Sequence, residues 1–161
     1  MCNSNRSAGG NLLLRRQVHL RTEEVRQNRA RIANILRLAP VGICVFRNRI
    51  AIEANDLFCH IFGREPGEIV GQSSRILYGS DEDYERYHHV FYDTIARQGF
   101  ISTELHTRRA DGHPLTVLIN GAPLDPDHPE GDVIFTLLDI TERKKSEEDL
   151  KRSNDYFTTL F

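Results

Sequence analysis

From Leu14 onward, side-chain character recurs at alternating steps of four and three residues: Leu14, Val18, Arg21, Val25, Asn28, Ile32, Ile35 and Ala39 fall on one stripe. That is the spacing of a coiled-coil seam. Pro40 stops the helix it predicts over 14–39. Such a helix can pack on its own domain or pair in parallel with a second copy, Arg21 and Asn28 fixing the register. A stripe lasting more than three heptads is long for a helix that only covers a small domain, which favours the homodimer with Leu14, Val18, Val25, Asn28, Ile32 and Ile35 in its seam.

After Pro40 the period shifts toward two. "VGICVF" and "IAIEAN" flank "RNR" and predict a hairpin. Asn55 is placed to cap a short helix in "NDLFCHIFG", with Phe58, Ile61 and Phe62 at helical spacing and Gly63 as its stop. "DEDYERYHHVFYDTIARQG" predicts a longer helix with an acidic start, a glycine end and a stripe of Tyr84, Tyr87, Phe91 and Ile95. "FISTELHTRR" then turns at "ADG" into "HPLTVLINGAPL", and "DPDHPEG" leads into "DVIFTLLDI". Two strands, helices and three strands imply an α+β fold: an antiparallel sheet with its helices on one face.

Composition narrows the function. With 161 residues, 39% of them apolar, the chain suits one compact domain with flanking segments. The 21 basic and 23 acidic residues nearly cancel, which argues against nucleic acid as a partner. The apolar runs are too short to span a bilayer, and "NLLLRRQ" is not a signal peptide. Cys2, Cys44 and Cys59 form neither a disulfide framework nor a zinc pattern, so a cytoplasmic location is expected. Cys44 and Cys59 read as small core residues, and His19, His60, His106, His113 and His128 lack paired zinc spacing, so no metal is expected. No nucleophile elbow, phosphate loop or His-Glu-x-x-His pattern is present, and "DED" opens a helix where acids are favoured anyway; the fragment is not expected to be an enzyme.

The "NDLFCHIFG" helix, the "GREPGEIVGQ" loop, the "RRADG" hairpin and "DITERKK" together resemble a PAS domain over about Ile32 to Lys145. The resemblance implies a five-stranded antiparallel sheet cupped by short helices around a cavity, flanked here by N- and C-terminal coiled-coil-like helices. It divides the chain into a disordered or boundary segment (1–13), a dimerisation helix (14–39), a sensor domain (40–141) and an output helix (142–161). It also implies that Asp139, Ile140 and Thr141 couple the last strand to that helix, with Asp139 anchoring the junction and Thr141 as the cap. Glu142, Lys145, Glu148 and Lys151 are expected as exposed charge pairs, while Ser146, Leu150, Ser153, Phe157 and Leu160 carry a heptad spacing. The end, "DYFTTLF", is similar to "RIANILRL" and suggests a further domain downstream in the same chain; the family's habit is a histidine kinase or a cyclic dinucleotide enzyme.

The fold alone implies no ligand. The expected pocket residues are Phe58, Phe62, Ser74, Leu77, Leu105, Val117, Ile119, Phe135 and Leu137. Their mainly apolar character suits a small nonpolar or weakly polar molecule, or a filled core in a ligand-free dimerisation and interaction module. In the family's flavin-binding, light-sensing branch a cysteine stands where "GQSSRILY" has Ser74, and the flavin-reading amides align near Thr107, Val117 and Leu137, so flavin photochemistry is not expected. Haem needs an inward imidazole, for which His88 and His89 are the candidates; adjacent residues cannot both point inward, and a helical histidine is more often a surface or satisfied one.

Overall fold

The computed structural model describes residues 7–160, and the chain divides into two units at Leu38 and Ala39. The first is a single helix, α1 (Ser7–Leu38), of 32 residues. It starts at Ser7 rather than Leu14, running through Gly9 and Gly10. Each glycine costs about 1 kcal/mol in a helix interior, but a long nucleated helix gains a backbone bond with every added residue. Residues 1–6 of the expected boundary segment lie outside the described residues. Leu14, Val18, Val25, Ile32 and Ile35 are all at least half exposed in the single chain.

The second unit is the sheet domain. Its elements are β1 (Gly42–Arg47), β2 (Ile50–Ala54), α2 (Asp56–Phe62), α3 (Pro66–Ile69), a 3-10 turn (Ser74–Leu77), α4 (Asp81–Gln98), β3 (Ile101–Arg108), β4 (Pro114–Pro123), β5 (Val133–Asp139) and α5 (Thr141–Leu160). The five strands form an antiparallel sheet in the order β2-β1-β5-β4-β3. The α+β expectation therefore holds, with flanking helices at both ends of the chain.

Local chemistry sets the element ends. Asn48 and Arg49 both have positive φ, 48° and 68°, as a two-residue hairpin matching strand twist requires. The Asn55 carboxamide accepts from the Phe58 amide, and Gly63 closes α2 in the left-handed region. Ser80 caps α4 and Gly99 ends it the same way. Within "GREPGEIVGQ" the chain forms α3 through a reciprocal Glu65–Glu68 capping box with Pro66 at the first turn. From sequence the segment reads as a loop, because four residues are too few to show a period.

The strand register aligns inward positions in rows: Cys44 pairs with Phe135, Phe135 with Gly121, and Gly121 with Ile101. A neighbouring row runs Gly42, Leu137, Ile119 and Thr103. Both glycines sit where something larger approaches. A Cβ on Gly42 would lie 2.9 Å from the Phe58 Cα, so this glycine lets the start of α2 close onto β1. On α4 the fully buried stripe is Tyr84, His88, Phe91 and Ile95; Tyr87, expected in it, is only partly buried. Steps of four, three and four keep the former set on one face, and the Tyr87 position drifts to its edge.

Because the clash at Gly42 is with backbone, Gly42→Ala should destabilise the domain by about 1–3 kcal/mol. Urea unfolding should show a lower midpoint with an unchanged slope.

Candidate functional site: an interior cavity and the strand-to-helix junction

The helices α2 and α4 and the 3-10 turn enclose, against the sheet, a cavity of about 40 Å³. Eight of the nine residues expected there line it: Phe58 and Phe62 from α2, Ser74 and Leu77 from the 3-10 turn, and Leu105, Ile119, Phe135 and Leu137 from the sheet. Val117 does not. It is completely buried on β4, packed within the core beside that lining. Phe46, Tyr78, Phe91 and Tyr92 complete the wall. Phe91 was legible as part of the helical stripe, but Tyr78 and Tyr92 carry no spacing signal because they lie at an irregular turn and off the buried stripe.

The lining is apolar apart from the hydroxyls of Ser74, Tyr78 and Tyr92. Burial pushes the Tyr78 phenol far above its ordinary range, and burial raises Tyr92 to about 12 although Arg49 pulls the other way. Both remain protonated at neutral pH and can donate as well as accept. Ser74 is held in place through backbone bonds: its amide donates to the Arg49 carbonyl at 2.8 Å, and the preceding residue bridges to Ile50 on β2. The Thr107 hydroxyl donates to the Leu77 carbonyl at 2.8 Å, which ties the turn down over β3.

A second arrangement stands where β5 becomes α5. One Asp139 oxygen accepts from the Thr141 amide at 3.0 Å and the Thr141 hydroxyl at 2.6 Å; the other accepts from Arg109. Arg109 also donates to the Ile61 carbonyl near the end of α2. Ile140 is buried, and its amide donates to the Thr116 carbonyl. Thr141 is not the cap that the sequence suggested: its hydroxyl turns to Asp139 and accepts from the Thr116 amide on β4 at 3.1 Å. The Asp139 carboxylate instead takes the first free amide of α5, that of Thr141.

Beyond this point α5 is exposed, including Leu150, Phe157 and Leu160. Its ion pairs are Arg143–Glu147 at 2.9 Å and Lys144–Glu104 at 2.7 Å, rather than pairs among Glu142, Lys145, Glu148 and Lys151. The first has the favourable four-residue spacing, and the second reaches back to β3.

The model of the PAS domain family matches residues 40–142. The chain belongs to the PAS domain family. It is 35% identical over 123 residues to the sensor protein TdiS of Thauera aromatica, a match covering 74% of this chain and 22% of that protein. Among solved structures, it resembles the PAS domain, in complex with ethanol, of a LuxR-family transcriptional regulator from Burkholderia thailandensis, with 25% identity, a TM-score of 0.62, and 68% and 96% of the two chains covered. The PAS domain of a Colwellia psychrerythraea protein (18%, TM-score 0.64, 70% and 97% covered) and a Rhodobacter sphaeroides LOV protein (20%, 0.61, 78% and 73%) share the fold. PAS domains are sensory modules, and this chain is one. Among the described residues no helix is long and apolar enough to cross a membrane.

Within the PAS cavity the residues offer little to a large cofactor. Drug-sized ligands occupy pockets of about 300–1,000 Å³, far above the volume enclosed here. His88 is buried, but its ring stacks on Tyr84 and its Nδ1 donates to the Tyr84 carbonyl; neither it nor the exposed His89 is among the lining residues. An axial haem ligand aimed into this cavity is therefore not provided by either. At the positions aligned with flavin-reading amides, Thr107 spends its hydroxyl on Leu77, while Val117 and Leu137 are buried apolar residues. Cys44 and Cys59 are buried in the core, and burial raises both thiols; the neighbouring Cys59 thiol adds to the rise at Cys44, and Asp56 adds to that at Cys59. Neither suits nucleophilic chemistry.

Burial pushes the Asp139 pKa up, but bonds from the Thr141 hydroxyl and amide and from Arg109 outweigh it and hold the carboxyl below its ordinary value. A lowered folded-state pKa stabilises above the unfolded-state value and loses that contribution as pH falls through the folded one. Asp139→Asn should cost about 1 kcal/mol at pH 7, discounted for the carboxylate's partial exposure, and the gap to wild type should shrink progressively below about pH 4. Equal gaps in urea unfolding at both ends of that range would contradict the assignment.

Proposed function

We propose that this PAS domain is the input module of a longer signalling protein. In this reading it holds a small, uncharged, weakly polar molecule in the Phe58–Phe135 cavity and passes the change through Asp139, Ile140 and Thr141 to α5. The observation that carries the reading is the cavity itself: a small apolar space with a few hydroxyls suits a ligand of few atoms that needs one or two hydrogen bonds. The ethanol complex of the Burkholderia thailandensis PAS domain supports that size and chemistry. The likeness to a sensor protein supports an effector in the same chain; in this reading the effector is of the histidine kinase or cyclic dinucleotide type, the module is itself non-catalytic, and the cysteine pattern suits a reducing, cytoplasmic setting.

Thermal unfolding in a series of short alcohols and ketones tests the cargo. Wild type should be stabilised in a saturable way by the smaller members, Ser74→Ala should weaken binding by roughly threefold to tenfold, and Ile119→Phe should abolish it by filling the space. Stabilisation that Ile119→Phe leaves intact would place binding outside this cavity and overturn the reading, and no stabilisation of wild type would favour a ligand-free interaction module.

The module is proposed to work as a parallel homodimer, because the apolar positions of α1 keep a seam spacing and remain exposed in the single chain. A Val25→Glu/Ile32→Glu double variant should sediment as a monomer while retaining its sheet signal. Wild type that is itself monomeric at high micromolar concentration would rule the seam out.

A further inference from the structure

The strongest unassigned cluster of side chains lies on the first turns of α4, in Glu85-Arg86-Tyr87-His88-His89. Helical spacing puts Glu85 beside both histidines, three and four residues on. One carboxylate oxygen of Glu85 and one ring nitrogen of each histidine lie within 4.8 Å of one another. Donors around a tetrahedral ion held at about 2.1 Å stand roughly 3.4 Å apart, so modest closure suffices. Glu85 and His89 are exposed and can supply it.

Two of the three ligands, His88 and Glu85, are already oriented by other groups. The Tyr84 carbonyl lies 3.0 Å from His88 Nδ1. A carbonyl can only accept, so the proton sits on Nδ1 and the lone pair on Nε2, the tautomer of a metal-binding histidine whose other nitrogen is anchored to the backbone. The His88 ring is further fixed by stacking on Tyr84, centroids 4.5 Å apart and planes within 2°. Arg75 takes Glu85 Oε1 at 3.0 Å and leaves Oε2, which stands 3.8 Å from His89 Nε2. The surrounding charge favours a cation: Asp81, Glu82, Asp83 and Glu85 face Arg75 and Arg86.

We propose that Glu85, His88 and His89 bind one divalent transition-metal ion of the zinc, cobalt or nickel class. Two imidazoles and a single carboxylate select such ions over calcium or magnesium, which prefer all-oxygen shells, and three protein ligands leave a position open to water or an external ligand. No metal is expected from the sequence, because adjacent histidines do not show the usual paired spacing and the third ligand comes from the preceding turn. The site lies one turn before Phe91 and Tyr92, so the ion would stiffen the stretch of α4 that leads into the cavity wall. The assignment does not depend on what the cavity holds.

The test is titration of the tag-free chain with Co²⁺, followed by visible d–d absorption and Zn²⁺ competition. One equivalent should give the intense spectrum of a four- or five-coordinate site, displaced by Zn²⁺. His89→Ala and Glu85→Gln, both surface changes, should each weaken affinity at least about tenfold. His128→Ala, at a separate His–Asp pair, should leave it unchanged. Because His88→Ala risks the core, its loss of the spectrum counts only with native circular dichroism. No spectrum at stoichiometric Co²⁺, or titrations of His89→Ala and Glu85→Gln that superimpose on wild type, would overturn the site.

Discussion

The Phe135 ring fits where it does because the strand beside it has no side chain: a Cβ on Gly121 would lie 2.3 Å from the ring. From that position Phe135 meets Phe46 edge-on at 5.8 Å, Phe91 at 6.4 Å and Tyr92 at 6.2 Å. One residue thus connects the first hairpin, the long helix and the centre of the sheet, and it also walls the cavity. Much else follows from this cross-strand fit. A side chain at 121 would force the ring toward α4 or into the cavity, and close-packed interiors do not absorb such a shift locally.

Phe135 is also four residues from the end of β5, where Asp139 hands the chain to α5. Strand and helix are covalently continuous, and Asp139 joins them to Arg109 of the hairpin and, through it, to the Ile61 carbonyl of α2. The junction is therefore bonded to two elements that wall the cavity, the sheet and α2. Buried Ile140 fixes one side of the handover, and the exposed helix beyond it is held to the domain by Lys144–Glu104. Continuity of this kind transmits a displacement only if the helix has more than one arrangement available.

What the sequence revealed was what local chemistry decides. Asn55, Gly63 and Gly99 announce helix ends because a side-chain cap and a left-handed glycine act over three or four residues, and the pocket residues on β3 to β5 follow from strand alternation. The failures needed tertiary information. Thr141 reads as a cap until β4 is seen to offer it Thr116; Val117 alternates inward yet meets packed core rather than open space; Tyr87 and His88 exchange burial because the helix face is set by what it packs against. Tyr78 and Tyr92 joined the wall from positions without any period.

The size of the cavity limits how a signal of the proposed kind could work. Small ligands gain at most about 1.5 kcal/mol per non-hydrogen atom, so a molecule of about three such atoms has roughly 4.5 kcal/mol available in total. Only the part that differs between two conformations can shift them, and a swing from 1:99 to 99:1 needs about 5.5 kcal/mol. A ligand this small would therefore have to act on an output element already close to balance. A proposed α5 seam would have that character: Ser146 and Ser153 alternate with Leu150, Phe157 and Leu160, which would weaken any single packing of the helix against a partner. A seam of uninterrupted leucines would hold one register too firmly for so small a cargo to move, and in the proposed reading the serines would match the output to the cavity.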